Sequence, residues 1–99
     1  MDTAPGINAV TELFAPIFKR YDVRKAVLFG SIAKGTGREN GDLDIMVDSN
    51  LKGLSFVGLL EDLQQAINRE VDLFDVTHIR KDSPVDKEIR ETGVVIYEK

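Results

Sequence analysis

The sequence predicts an α/β fold of the α+β type, with a small mixed β-sheet of about four strands and helices packed on one face. Two observations support this prediction. Apolar side chains recur at steps of three and four over 7–18 and 56–67, which is the period of an amphipathic helix. Short runs rich in apolar and β-branched residues predict strands over 23–29, 43–47, 71–76 and 94–97.

The remaining segments complete an alternating order of elements. A last short helix is predicted from Pro84 to Gly93, because proline suits a first helical position and glycine suits a helix end. Pro16 lies inside the first helical pattern and is expected to kink or shorten that helix. The order helix, strand, strand, helix, strand, helix, strand is typical of an α/β domain. Three apolar residues of the first helix belong either to the core or to a contact with a partner helix: Ile7, Phe14 and Phe18.

The composition restricts the function classes. The chain has 99 residues, 42% of them hydrophobic and 30% charged, so we expect one globular domain spanning 1–99. Because the formal net charge is −4, direct binding to nucleic acid is not expected. Without cysteine there is no thiolate catalysis, and His78, the single histidine, cannot form a site that needs two imidazoles. No apolar run predicts a membrane span and no secretory signal is recognised, so a cytoplasmic location is expected.

Three aspartates are the candidate metal ligands. Asp42 and Asp44 are two residues apart on a predicted strand, so their side chains share one face of it. Asp72 reaches the same open face if the apolar residues that flank it pack beneath the helices. Neighbouring carboxylates repel each other, and Mg²⁺ would remove that repulsion, so the pattern predicts one or two Mg²⁺ ions suited to phosphoryl-type transfer. Asp75 is expected to be structural, although a one-residue shift of register would exchange it with Asp72.

A glycine–serine turn after the first predicted strand fits the same chemistry. Gly30 lets the backbone approach an anion closely, and Ser31 offers a hydroxyl and an N–H group at the start of a predicted helical turn. Lys34 or Arg38 adds a positive charge that suits a triphosphate. With the aspartates, this arrangement meets the needs of nucleotidyl transfer from a Mg²⁺-bound nucleoside triphosphate.

These motifs carry a resemblance to a known family. The string LFGSIAKG (28–35), followed by DLD (42–44) and VDL (71–73), resembles the minimal nucleotidyltransferases (MNT) of the DNA-polymerase-β superfamily. The resemblance extends to the segments before the first strand and at the end of the chain. Members of this family are commonly encoded beside HEPN proteins, so the resemblance implies the polymerase β-like fold and a HEPN-domain partner.

The resemblance also implies a role for each matching residue. Gly30 and Ser31 would bind the nucleotide phosphates. Asp42 and Asp44 would coordinate two Mg²⁺ ions, and Asp72 would complete one metal site and act as, or position, the base for the attacking hydroxyl. Some members act as antitoxins that transfer AMP from ATP to a tyrosine of the HEPN ribonuclease, and the same activity is expected here.

Two alternatives remain open from the sequence. In the first, the chain is a non-catalytic module that neutralises a partner by forming a complex with it. In the second, the acceptor is a small molecule, as in aminoglycoside nucleotidyltransferases. Those enzymes resemble this chain only in the Gly-Ser and Asp-x-Asp core and carry additional domains.

Overall fold

The computed structural model of the protein describes residues 6–30 and 43–99. In chain order the elements are α1 (Ile7–Arg20), β1 (Lys25–Phe29), β2 (Leu43–Asp48), α2 (Leu54–Ile67), β3 (Val71–Asp75), a 3₁₀ turn (Val76–His78), α3 (Pro84–Thr92) and β4 (Val94–Glu98). Apart from the 3₁₀ turn, these are the helices and strands predicted from the apolar periods, the strand runs and the Pro84 and Gly93 signals, with ends that differ by about two residues. The predicted small mixed α/β fold is confirmed.

The four strands form one mixed sheet in the order β3-β2-β1-β4. β1 is antiparallel to both β2 and β4, and β2 is parallel to β3. Because parallel neighbours need a crossover, α2 connects β2 to β3. The parallel pair brings Asp44 directly opposite Asp72, and the antiparallel pair brings Phe29 directly opposite Asp44. This pairing fixes which side chains share a face.

The main core lies between one face of the sheet and the helices α1 and α2. Alternate residues of β1 and β2 supply the sheet side of this core, while residues spaced by three and four supply the helical side. The fully buried members with the largest side chains include Phe14, Phe18, Leu28, Ile45, Leu59 and Leu63. Phe14 and Phe18 are therefore core residues, and Ile7 packs partly buried against the same cluster.

A second apolar layer lies on the other face of β1. Val27 and Phe29 alternate with the core residues of this strand, and they are 6% and 1% exposed. The last helix contacts β1, and at its end a β-carbon built on Gly93 would fall 3.0 Å from Val27 Cγ1. The end of α3 therefore packs against the face of the sheet that also carries the aspartates described below.

The helix ends follow the local sequence. Ser83 precedes α3 and its hydroxyl accepts the N–H of Asp86 at 3.2 Å, while Pro84 occupies the first turn as predicted. α2 is followed by the C-cap residue Asn68, whose φ of 55° is left-handed. Of the expected effects of Pro16, a kink or a shortening of α1, the shortening is wrong, since the helix continues to Arg20. One lost backbone hydrogen bond is offset there by the burial of apolar side chains on both sides of the proline.

No helix in the described parts of the chain is long and apolar enough to cross a membrane.

Candidate active site

Two of the three predicted aspartates come together at one end of the sheet. Asp44 and Asp72 are in register at the beginnings of the parallel strands β2 and β3, so their side chains lie on the same face. Neighbouring strands are about 4.8 Å apart, which brings both carboxylates within reach of one cation. Asp44 is half-buried and Asp72 is exposed. The predicted orientation of Asp72 is correct, and the alternative register that would put Asp75 in its place is wrong.

Gly30 forms the wall of this site next to Asp44. Its φ of +86° favours glycine, and a β-carbon built there would fall 2.5 Å from Asp44 Oδ2. Only a residue without a side chain allows the carboxylate to lie so close to the backbone. The N–H of Gly30 donates a hydrogen bond to Thr92 Oγ1 at 2.8 Å. The N–H group is therefore directed at the end of α3, and what Gly30 offers at the acidic face is its bare α-carbon.

Aromatic packing supports the strands beneath the acidic pair. Phe29 lies opposite Asp44 in the pairing of β1 with β2, and its ring centroid is 5.6 Å from that of Phe74. Phe74 is on the same face of β3 as Asp72, two residues farther along the strand. Because Phe29 is almost fully buried, this contact ties β1 to β3 across β2 and limits the movement of the strands that carry the carboxylates.

The rest of the predicted site lies outside the described residues: Ser31, Lys34 and Asp42. Within 6–30 and 43–99, no group of three or more histidine, aspartate or glutamate side chains is arranged to hold a metal ion. The donor set that is described consists of two carboxylates in register. Carboxylate oxygens are the hard ligands that Mg²⁺ prefers, and it is usually bound by one or two of them together with substrate phosphates. Asp44 and Asp72 therefore fit such an ion.

A separate cavity of about 630 Å³ lies at the other ends of β2 and β3, beside the segments that follow these strands. Its lining includes Lys52, Phe56, Phe74, Asp75, Thr77 and His78. Burial tends to raise the pKa of Asp75, but the N–H and hydroxyl of Thr77, with the positive charges of His78 and Lys52, hold that pKa below its usual value. Asp75 caps the 3₁₀ turn, as expected of a structural residue, and His78 lies in that turn, so both are at the opposite ends of the strands from the acidic pair.

The sequence alone did not identify Thr92 as a neighbour of the site. The bond between Gly30 and Thr92 joins residues that are 62 positions apart, and no motif links them. The one sequence feature that could have drawn attention to Thr92 is its position directly before Gly93, at the predicted end of the helix that leads into the last strand.

Comparison with known proteins identifies relatives of the chain. The sequence model of a family described as polymerase beta nucleotidyltransferases matches residues 12–99. A protein of Methanocaldococcus jannaschii, provisionally named a protein adenylyltransferase, is 31% identical over 74% of this chain and 81% of its own length. A second protein of that organism with the same provisional name is 35% identical over 74% of this chain and 78% of its own.

Solved structures share the fold. A toxin–antitoxin crystal structure with AMP-PNP has a TM-score of 0.76 and 22% identity, covering 90% of this chain and 73% of the matched chain. A complex of a tri-AMPylated Shewanella oneidensis HEPN toxin with an MNT antitoxin has a TM-score of 0.67 and 15% identity, covering 94% and 73%. At these identities the likeness concerns the fold.

Proposed function

Because the chain belongs to the polymerase beta nucleotidyltransferase family, we propose that it transfers AMP from ATP to a hydroxyl group of a partner protein. The match to the family model establishes the superfamily that the sequence resembles, and the chain is a nucleotidyltransferase. The nucleotide, the acceptor, the metal and the role of each residue are the proposal. The observation that carries it is the register of Asp44 with Asp72 beside the bare α-carbon of Gly30.

In the proposed reaction, the acceptor oxygen attacks the α-phosphorus of ATP. A bond forms between that oxygen and phosphorus, the bond from the α-phosphorus to the bridging oxygen of the β-phosphate breaks, and pyrophosphate leaves. Asp72, the more exposed carboxylate, takes or directs the proton of the hydroxyl. Mg²⁺ held by Asp44 and Asp72, with Asp42, would neutralise charge on the attacking and leaving oxygens. We assign Ser31 and Lys34 to the phosphates, and Gly30, whose N–H is donated to Thr92, contributes the close approach of its backbone.

A HEPN-domain toxin is the proposed partner, with a tyrosine as the acceptor and the chain acting as its antitoxin. The fold matches an antitoxin whose complex contains an AMPylated HEPN toxin, and both curated relatives carry the provisional name of protein adenylyltransferase. The net charge of −4 suits a partner with a basic surface, since opposite charges speed association.

The test is transfer of labelled AMP in the presence of Mg²⁺ and a candidate HEPN partner, followed by the intact mass of each chain. We expect one or more AMP units on the partner, and a loss of at least about a thousandfold in rate for Asp44→Asn and for Asp72→Asn. Asp48→Asn is the matched control, because Asp48 is on the same strand and face as Asp44 but pairs with Arg24 at 2.9 Å. A stable complex with no transfer from any nucleotide would instead support the non-catalytic module.

A further inference from the structure

A short chain of hydrogen bonds connects the site to the last helix. The Gly30 N–H donates to Thr92 Oγ1 at 2.8 Å, and the Thr92 hydroxyl donates to the Glu88 carbonyl, also at 2.8 Å. A threonine hydroxyl has one proton and two lone pairs. Because its proton is directed to Glu88, a lone pair of the oxygen is left to accept from Gly30, and each bond strengthens the other.

The sheet register explains why the Thr92 hydroxyl, and not a backbone carbonyl, accepts the N–H of Gly30. β1 and β4 pair as far as Leu28 opposite Val94. Continued by two residues on each strand, this register would bring Gly30 opposite Thr92. α3 occupies that part of the chain, so the threonine hydroxyl accepts the N–H that a strand carbonyl would otherwise accept.

Close packing holds the threonine in place. A β-carbon on the next residue, Gly93, would fall 2.4 Å from the Ile89 carbonyl oxygen and 3.0 Å from Val27 Cγ1. The end of α3 is therefore fixed against β1, and the hydroxyl of Thr92 with it. At the other end of the hydrogen bond, Gly30 has no free space either, because its α-carbon is in contact with the Asp44 carboxylate.

We propose that Thr92 is a positioning residue, which holds the Gly30 backbone so that the Asp44 carboxylate keeps the orientation required for the metal. This inference rests on the proposed function. Without the hydroxyl, the partly buried Gly30 N–H loses its partner and the peptide can rotate to find another. Rotation of that peptide moves the surface against which Asp44 packs. Thr92 itself contacts neither nucleotide nor acceptor in this proposal.

The test compares three variants in the full-length chain. Thr92→Val removes the hydroxyl at nearly constant volume, and Thr92→Ser keeps it. Thr11→Val is the matched control, because Thr11 is also a half-buried helical threonine whose hydroxyl donates to the carbonyl four residues earlier, Ile7, at 2.8 Å. It lies on α1, away from the acidic pair. The readouts are kcat, the Mg²⁺ concentration for half-maximal activity, and hydrogen exchange of the Gly30 amide.

For Thr92→Val we expect kcat to fall about tenfold, since small misplacements of reacting groups are costly, together with a several-fold rise in the half-maximal Mg²⁺ concentration. Loss of protein that is irreversibly unfolded would lower kcat but would not move the Mg²⁺ value. We expect Thr92→Ser and Thr11→Val to stay within about twofold of the wild type. Exchange of the Gly30 amide should accelerate in Thr92→Val alone.

Three results would overturn different parts of this account. If the wild type transfers nucleotide and Thr92→Val matches it in kcat and Mg²⁺ dependence, the positioning role is wrong. Unchanged exchange of the Gly30 amide in Thr92→Val would contradict it as well, whether or not transfer is observed. An inactive wild type whose Gly30 amide still responds to Thr92→Val would instead refute the proposed function and, with it, any effect on catalysis.

Discussion

The Asp44 carboxylate lies against the α-carbon of Gly30, so close that a β-carbon at residue 30 would fall 2.5 Å from Oδ2. Real β-carbons do not approach an oxygen to this distance, so one of the two groups would have to move. Gly30 also has a φ of +86°, in a region that side-chain-bearing residues rarely adopt. The glycine is therefore required twice, once by the turn and once by its neighbour on the next strand.

Gly30→Ala is expected to impair both stability and catalysis. The positive φ should lower the free energy of unfolding by about 1–3 kcal/mol, and displacement of Asp44 should lower kcat by about a hundredfold. Denaturant unfolding and the transfer assay measure the two effects. Gly53→Ala is the matched control, because Gly53 has a φ of +58° but no atom within 4 Å of its would-be β-carbon. It should lose stability and keep kcat; wild-type kcat in Gly30→Ala would refute the required contact.

Mg²⁺ should stabilise the protein through the acidic pair. An ion that binds only the folded state adds about 2.7 kcal/mol when its concentration is a hundred times its dissociation constant. Asp72→Asn should abolish this gain, and without Mg²⁺ it should raise the unfolding free energy by a few tenths of a kcal/mol, because it removes a like charge opposite Asp44. Thermal unfolding with Mg²⁺ and with EDTA is the measurement. Asp48→Asn should respond to Mg²⁺ as the wild type does, and an equal response in Asp72→Asn would exclude Asp72 as a ligand.

How well the sequence predicts a feature of this structure depends on how far apart in the chain the interacting residues are. Strand alternation is local, and with the condition that the apolar faces of both strands pack beneath the helices, it correctly places Asp44 and Asp72 on one face before their pairing is known. Shortening of α1 at Pro16 is also a local expectation, but tertiary burial of the residues around the proline overrides it. The bond from Gly30 to Thr92 depends on where α3 ends relative to β1, which no local pattern encodes.

The pairing of Asp62 with Tyr21 should make stability depend on pH at both extremes. The Tyr21 hydroxyl donates to Asp62 Oδ2 at 2.7 Å, and Arg20 bonds the same oxygen at 2.9 Å. These hydrogen bonds, with the Arg20 charge, hold the pKa of Asp62 below 3.8 against the opposing effect of burial. The bond to Asp62 is also the main cause that raises the pKa of Tyr21 above 10.0.

Asp62→Asn tests both directions of this pH dependence. A lowered carboxyl pKa stabilises the fold above 3.8, and this contribution is lost as the pH falls through the lower value in the folded state. A raised phenol pKa stabilises the fold below 10.0, and this contribution is lost as the pH rises through the higher value. The stability difference between wild type and Asp62→Asn, from denaturant unfolding, should therefore be largest near neutral pH and shrink at both ends. Asp48→Asn is the control, because within the described residues Asp48 pairs with Arg24 and not with a tyrosine. A flat profile for Asp62→Asn would contradict the coupling.

Gly93→Ala should destabilise the protein through packing alone. The φ of Gly93 is −63°, which suits any residue, so no backbone strain arises. Its β-carbon would nevertheless fall 2.4 Å from the Ile89 carbonyl oxygen, and overpacking of this kind costs about 1–3 kcal/mol. Gly6→Ala, which meets nothing within 4 Å, is the control and should change stability by no more than about 1 kcal/mol, as expected for a helix N-cap.

Relief of the clash in Gly93→Ala must shift the end of α3, which carries Thr92, so Gly93→Ala should also accelerate exchange of the Gly30 amide. If stability falls while that exchange is unchanged, the end of α3 and the Gly30 turn move independently.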